Sequence, residues 1–320
     1  IGPAIAAGCT MVVKPAHETP LSMLALAQLL EEVGLPKGVL NVVTTSHSGA
    51  VMEPLIRDNR ARKLTFTGST GVGKKLVEQS SEQLLRLSME LGGNAPFLVF
   101  EDADIDAAVT GAMTAKFRNI GQSCIAANRI YVQRGIYDQF LNAFVEKTKA
   151  QKVGDGLEPG MDIGPLIDEG AVSKALEHIE NAVAQGARVL CGGQRKADSK
   201  GTFIEPTVLA NVPKNALCMN EETFAPIAPI TVFDTEEEGI ALANDTIYGL
   251  SAYAFTSNLD RAFRLMEALE AGTIGINDGV PSTSQCPFGG VKQSGWGREL
   301  GIEGMDAFLE TKHVSLGLQI

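Results

Sequence analysis

Two short segments carry the residue types from which covalent catalysis is built. Glu90-Leu91-Gly92-Gly93-Asn94 sets a carboxylate in a glycine-rich turn, and Gly121-Gln122-Ser123-Cys124 sets a thiol in another tight turn. An ordinary cysteine titrates near ~8.5, so Cys124 becomes a useful nucleophile only where local dipoles or charge favour the thiolate. A carboxylate can take the proton that such chemistry releases. Together the two could carry a carbonyl carbon, such as that of an aldehyde, through a covalent intermediate. Taken singly, each has a plain alternative. Cys124 could be a small buried hydrophobe, and Glu90 a surface acid beside glycines that let the backbone approach a ligand.

Further segments offer binding chemistry. Phe66-Thr67-Gly68-Ser69-Thr70-Gly71-Val72-Gly73 reads as a strand running into a helix N-terminus, where unpaired N–H groups and the helix dipole favour a phosphate. It nearly spells a Walker A loop, with Gly68 to Gly73 followed by Lys74, but Lys75 stands where a magnesium-binding Ser or Thr belongs. Phe97-Leu98-Val99-Phe100-Glu101-Asp102 imitates a Walker B strand, so a P-loop ATPase is a rival reading and a plain strand-to-helix turn another. A strict GxGxxG is absent. Lys14-Pro15 ends a buried strand with a cation that could reach ribose hydroxyls or phosphate, or simply be solvated. Glu221-Glu222-Thr223-Phe224-Ala225-Pro226 pairs acids able to accept ribose hydroxyls with an aromatic able to pack on a ring, against the alternative of a solvated face. Pro287 to Glu299 is dense in glycine and holds the only tryptophan, which asks for unusual backbone geometry, as at a cleft or a domain crossing.

The elements that must position these residues alternate. Cys9 to Val13 reads as a strand, and Thr19-Pro20 opens a helix through Leu21 to Val33 that Gly34 stops. Val39 to Val43 is a second strand, Ser48 to Asp58 a helix, Lys63 to Thr67 a strand, Gly71 to Gln83 a helix and Leu84 to Met89 a strand. Strands alternating with helices predict a parallel sheet with right-handed crossovers. Ligands of such sheets lie at the carboxyl ends of strands, where Lys14, Gly68 and Glu90 fall. The pattern restarts near residue 93 with strand Phe97 to Phe100, helix Asp104 to Phe117, strand Arg129 to Val132 and helix Tyr137 to Lys149. Helices follow over Asp168 to Gln185, Glu236 to Asn244 and Leu259 to Ala268, with strands near Thr207 and Ile230 and over Ser251 to Phe255 and Thr273 to Ile276. Gly289 to Gly304 is expected as loop and Ala307 to Leu318 as an edge strand.

Composition narrows the class. A chain of 320 residues is long enough for two domains with a sizeable core, and 44% hydrophobic with 20% charged residues is a soluble α/β balance. The net charge of −11 repels nucleic-acid phosphate, and no Lys/Arg run makes a local exception. Five cysteines without CxxC pairs, apart from four histidines, argue against a disulfide framework and a zinc site, and suit a reducing cytoplasm. No apolar run approaches the ~18 residues that span a bilayer. The opening Ile1 to Gly8 reads as the end of a helix, which points to a chain shortened at its N-terminus.

Taken in order, these segments resemble the aldehyde dehydrogenase superfamily across essentially the whole chain. The resemblance rests on Val13-Lys14-Pro15-Ala16, Phe66-Thr67-Gly68-Ser69-Thr70, Glu90-Leu91-Gly92-Gly93, Gly121-Gln122-Ser123-Cys124, Glu222-Thr223-Phe224-Ala225-Pro226, Tyr248-Gly249-Leu250-Ser251, and Pro287-Phe288-Gly289-Gly290 through Gly297-Arg298-Glu299. It implies an α/β fold: an incomplete Rossmann-like parallel-sheet cofactor domain over 1–92, a catalytic domain over 93–292, a return to the cofactor domain over 293–306, and an oligomerisation strand over 307–320. It implies that Cys124 attacks an aldehyde, that its backbone N–H helps hold the oxyanion, that a hydride passes to NAD or NADP, and that Glu90 activates water to release the acid. Glu299 would assist Glu90 in proton relay. The resemblance assigns Lys14 and His17 to the adenosine ribose, Gly68 and Ser69 to pyrophosphate, and Glu222 with Phe224 to the nicotinamide ribose. Pro15, Ala16, Gly73 and Leu91 join the cofactor-binding residues. No metal is implied, and a homo-oligomer, dimer or tetramer, is.

Within the superfamily the chain is most similar to succinate-semialdehyde dehydrogenases, through Phe117-Arg118-Asn119, Ser282 with Cys286-Pro287-Phe288, and Phe308 to His313. Arg118 matches a substrate-carboxylate arginine and Ser282 its hydroxyl partner; a fixed guanidinium is a natural clamp for the carboxylate of a short semialdehyde. Arg118 could instead serve a structural ion pair. Glutarate semialdehyde is an alternative substrate, and a non-catalytic nucleotide-binding paralogue an alternative protein. The family's Pro-Trp-Asn motif and a second substrate arginine would lie before Ile1. Ala126 stands where many relatives carry a second cysteine. His17 replaces an acid usual in NAD-preferring relatives, so NADP is expected to be accepted at least as well as NAD.

Overall fold

The computed structural model describes residues 1–197 and 200–318. The chain starts in a short helix, α1 (Gly2–Ala6), and β1 (Met11–Val13), α2 (Leu21–Glu32), β2 (Leu40–Val42) and α3 (Ser48–Arg57) follow. β1 and β2 run parallel in a sheet of their own. β3 (Lys63–Thr67), α4 (Thr70–Ser80) and β4 (Arg86–Glu90) repeat the unit, again with parallel strands. The expected boundaries shift here: a 3-10 turn over Ser81–Gln83 closes on Leu84 at φ 50°, a left-handed conformation that a strand cannot contain, so β4 begins at Arg86 and runs through Glu90. The carboxylate expected in a glycine turn is therefore the last residue of a strand, fixed by ladder hydrogen bonds.

From β5 (Ala95–Val99) the chain builds a larger layer. It continues through α5 (Ile105–Phe117), β6 (Ala127–Gln133), α6 (Tyr137–Lys149), α7 (Glu169–Ala184), β7 (Arg188–Cys191), β8 (Thr207–Ala210), α8 (Leu217–Asn220), β9 (Ile227–Phe233), α9 (Glu236–Asn244), β10 (Ser251–Phe255), α10 (Leu259–Ala268) and β11 (Thr273–Ile276). Seven strands stand in the order β11-β10-β5-β6-β9-β8-β7. All are parallel except β7, which pairs antiparallel with β8 at one edge. β7 and α8 are four residues each, too short to show a period in sequence.

Successive residues of β5 serve opposite faces, as strand geometry requires. Phe97 and Val99 pack with Val109, Ala112, Phe140 and Phe144 of α5 and α6, whereas Leu98 and Phe100 pack with Val172, Ala175 and Ile179 of α7 and Leu265 of α10. A sheet buried on both sides explains why β5, β6 and β10 are buried at every residue. Helix starts follow their side-chain caps: Ser69 caps α4, Asp104 caps α5 at 2.9 Å to the Ala107 N–H, and Asp168 caps α7 at 2.7 Å to Ala171.

The glycine-rich stretch expected as loop holds β12 (Gly295–Trp296) and, beyond it, α11 (Glu303–Asp306). β12 lies antiparallel to β4 with Gly295 opposite Glu90, giving a three-stranded sheet in the order β12-β4-β3. Residues 307–318 form no strand in the isolated chain, and the last two residues of the expected 307–320 strand lie outside the described residues. No helix among the described residues is long and apolar enough to cross a membrane.

Candidate active site

The nucleophile turn hangs between α5 and β6. After Phe117, Asn119 (φ 50°), Ile120 (φ 63°) and Gly121 (φ 74°) are all left-handed, a run that a β-branched isoleucine tolerates only because neighbours hold it. Gly121 is obligatory in this place, since a Cβ there would sit 2.4 Å from the Ala225 carbonyl oxygen. The Asn119 side chain donates to the Gln122 carbonyl at 2.7 Å, and the Tyr253 hydroxyl, from β10, donates to the Ile125 carbonyl at 2.7 Å. Cys124 is half-buried between these anchors. Burial pushes its thiol up to about 11, and the Glu222 and Glu90 carboxylates push in the same direction, while the Cys124 and Ile125 backbone N–H groups favour the thiolate. Among the described residues only these backbone N–H groups favour the thiolate, and they do not outweigh burial and the two acids, so the thiol rests protonated.

The Glu90 carboxyl is buried at the end of β4, between Thr67 of β3 and Gly295 of β12. Its Oε2 has no hydrogen-bond partner, and its Oε1 lies 2.9 Å from where a Gly289 Cβ would be, so a side chain at 289 would strike it. Burial raises its pKa to about 8, the Glu299 charge adds to this, and Arg298 opposes it. Glu299 is held by a backbone pair with Phe288 at 2.7 Å each way, and its charge also acts on Lys63. An acid poised near neutrality, with an unfilled oxygen, suits general acid–base work.

A third carboxylate closes the group. Glu222 Oε1 accepts from the Gly93 N–H at 3.0 Å, and Gly93 leaves no room for a Cβ, which would meet the Cys124 carbonyl oxygen at 2.2 Å. Glu90, Cys124 and Glu222 are thus brought together across the Gly92–Asn94 segment. Phe224, two residues on, is left-handed at φ 50° and 39% exposed, an aromatic held in an unfavourable backbone conformation beside the acid.

The remaining cofactor-side positions are spread over strand ends. Pro15, Ala16, His17 and Pro20 line a cleft of about 300 Å³ with Thr44, Thr45 and Ser46. The last three follow β2, and their hydroxyls immediately after an apolar strand were the signal that sequence reading passes over. Lys14 sits beside the cleft with its ammonium on the Pro15 carbonyl, and exposed His17 lies 2.9 Å from Glu18. Gly68 donates its N–H to the Glu90 carbonyl at 3.0 Å, and Ser69, an exposed residue, caps α4. Gly73 serves packing: a Cβ would be 2.5 Å from Leu91 Cδ2, so the glycine lets α4 lie on Leu91. Residues for a dinucleotide fit this surface, because the cleft is lined by hydroxyls and no carboxylate, and the helix start beyond it is open.

On the other side, Arg118 is exposed where α5 ends, one residue before the left-handed run. Its N–H donates to the Thr114 carbonyl, and its side chain makes no hydrogen bond or ion pair among the described residues. Its charge, with those of Cys124 and Asp278, reaches Tyr253, so it shares the nucleophile's neighbourhood. Ser282 is half-buried and likewise unpartnered in the loop after β11.

This geometry agrees with what the chain is similar to. A sequence model of the aldehyde dehydrogenase family matches residues 1–314. This chain belongs to the aldehyde dehydrogenase family. It is 52% identical over 317 residues to an NADP(+) succinate-semialdehyde dehydrogenase of Escherichia coli, covering 99% of this chain and 65% of that protein. A glutarate-semialdehyde dehydrogenase of Pseudomonas aeruginosa is 53% identical over 320 residues, with 99% and 65% covered. A crystal structure of an NADP-dependent enzyme of E. coli superposes with a TM-score of 0.97 at 52% identity, covering 99% of this chain and 66% of that one. The chain thus spans about two thirds of the length of these family members.

Proposed function

We propose that the protein of which this chain is part oxidises a semialdehyde to the acid with NAD(P), succinate semialdehyde being the substrate its site suits best. The observation that carries this reading is the convergence of Cys124, Glu90 and Glu222 on the Gly92–Asn94 segment, with the Arg118 charge in the neighbourhood of the thiol. The Cys124 sulfur adds to the aldehyde carbon, and its proton passes to the ionised form of Glu90, which hands it on toward Glu299 and is free again before deacylation. The Cys124 backbone N–H would help hold the developing oxyanion. A nicotinamide held by Glu222 and Phe224 would supply hydride acceptance, which turns the Cys124 thiohemiacetal into a thioester. Glu90 then takes a proton from water as it attacks the thioester, the carbon–sulfur bond breaks, and the acid leaves with its new oxygen. Glu299, whose charge acts on Glu90, would receive the proton from it.

Lys14, Pro15, Ala16 and His17 would hold the adenosine end, Gly68 and Ser69 the pyrophosphate, and Glu222 with Phe224 the nicotinamide ribose. The cleft is lined by hydroxyls and by His17 in place of an acid, so we expect NADP to serve at least as well as NAD. Residues 1–92 and 293–306 act as the cofactor unit and 93–292 as the catalytic unit. A tail with alternating exposed Val314, Leu316 and Leu318 suits pairing with another subunit in a cytoplasmic homo-oligomer. Glutarate semialdehyde is the second reading, favoured by the relative that carries that name.

The test is aldehyde-dependent NAD(P)H formation by the intact protein over a panel of aldehydes. Cys124→Ser should abolish it, which also separates the enzyme from a non-catalytic paralogue. Arg118→Ala should lower kcat/KM for succinate semialdehyde by about 10- to 100-fold and leave an uncharged aldehyde of similar length nearly unchanged, as expected for a lost charge-assisted hydrogen bond. Equal losses on both substrates would remove the clamp.

A further inference from the structure

Lys116, in the last turn of α5, is wholly buried, yet no carboxylate lies within ion-pair distance of it among the described residues. Its Nζ donates to Asn128 Oδ1 at 3.1 Å and to Thr223 Oγ1 at 3.3 Å, and Thr223 donates to the same Asn128 oxygen at 2.7 Å. Asn128 and Thr223 are buried too. An amine here is costly compared with a methionine of similar shape, because burying a cation without a counter-charge is strongly unfavourable. Two acceptors match the two N–H groups of a neutral amine and leave a third ammonium hydrogen without a partner. Burial accordingly lowers the Lys116 pKa to about 7, with Cys218 and Glu222 pulling it back up.

The cluster joins three segments. Thr223 directly follows Glu222 in the acid–aromatic loop. Asn128, on β6, donates to the Gly93 carbonyl at 3.3 Å, behind the segment whose N–H holds the Glu222 carboxylate. Lys116 itself leads into the nucleophile turn, and its carbonyl oxygen is 3.1 Å from where a Gly121 Cβ would be. We propose that Lys116 is a positioning residue that latches the Glu222–Phe224 loop to the nucleophile turn, setting the nicotinamide end of the cofactor site relative to Cys124. This rests on the dehydrogenase reading above. Lys116 touches no reacting atom; it acts through Thr223 and Asn128.

The experiment uses the intact protein and compares Lys116→Met, Thr223→Val and Thr223→Ser. The Met and Val variants each break the latch, and should raise the KM and the calorimetric Kd for the nicotinamide cofactor about tenfold, the size of one lost hydrogen bond, while the aldehyde KM changes less than about twofold. Alkylation of Cys124 without cofactor should keep its wild-type rate, and Thr223→Ser, which retains the hydroxyl, should restore the cofactor KM. The double variant should be no worse than either single one, because both cut the same connection. A purely structural lysine would lower thermal stability and active-site titre without this split. Cofactor and aldehyde KM values moving together, or neither moving, overturns the proposal. Should Lys116→Met fail to fold, the Thr223 pair decides. If the wild type shows no aldehyde-dependent reduction, the dehydrogenase reading fails by itself, and the calorimetric Kd with NADP and NAD still decides the latch.

Discussion

At Cys124, burial and two acids oppose the form of sulfur that attacks a carbonyl. With its thiol pushed to about 11, the resting site holds a protonated nucleophile beside a Glu90 that also keeps its proton to about 8. Such a site stays quiet toward stray electrophiles until a base draws the proton away. In cofactor-free protein, the rate of iodoacetamide alkylation should keep climbing beyond pH 9, with no plateau near 8. Removing an acid charge should move the curve to lower pH, and Glu222→Gln further than Glu90→Gln, because Glu222 acts on the thiol more strongly. A plateau near pH 8 in the wild type, or no shift in either variant, would contradict this arrangement.

At the scale of elements, the site is made where backbone segments cross too closely for side chains. β4 delivers Glu90, β12 closes on it, and the Gly92–Asn94 segment then passes against the nucleophile turn. Gly93→Ala places a Cβ 2.2 Å from the Cys124 carbonyl oxygen, so either the turn or the strand exit must move. We expect kcat to fall about 100-fold with the fold retained by circular dichroism, since roughly 1 Å of misplacement costs that much. Gly49→Ala is the control: the space around that helical glycine in α3 is open, and the change should stabilise the protein by about 0.5–1 kcal/mol with activity intact. Much of this layer was legible. Lys63 to Thr67 and Ser251 to Phe255 match the observed strands, and Glu236 to Asn244 matches α9, because their patterns and caps agree with the tertiary context. β12 was not, because two residues of strand exist only through their partner β4.

For the molecule as a whole, a buried acid is a liability at high pH. In the unfolded chain Glu90 ionises near its ordinary 4.5, but in the folded chain only near 8. The folded state binds this proton more tightly, so the stability it contributes is full below about 4.5 and is lost as pH rises through about 8. Glu90→Gln, neutral throughout, should therefore raise Tm by a few degrees at pH 9 and leave it nearly unchanged at pH 4. An equal gain at both pH values would assign the effect to packing. Removing residues 309–320 tests the tail: its alternating apolar residues are exposed in the single chain, and their loss should shift the protein to a smaller species in sedimentation.

The sequence by itself determined the alternation of strands and helices, the chemistry available at Cys124 and Glu90, and the order of motifs that marks the family. Those depend on local patterning and residue type, which are written along the chain. Only the tertiary structure decided that Glu90 ends a strand beside β12 and that Glu222 rests on Gly93. It alone revealed Lys116 beneath the loop that carries Glu222. Each of these is a long-range juxtaposition, and protonation states follow from burial and neighbouring charge, which no spacing along a chain encodes.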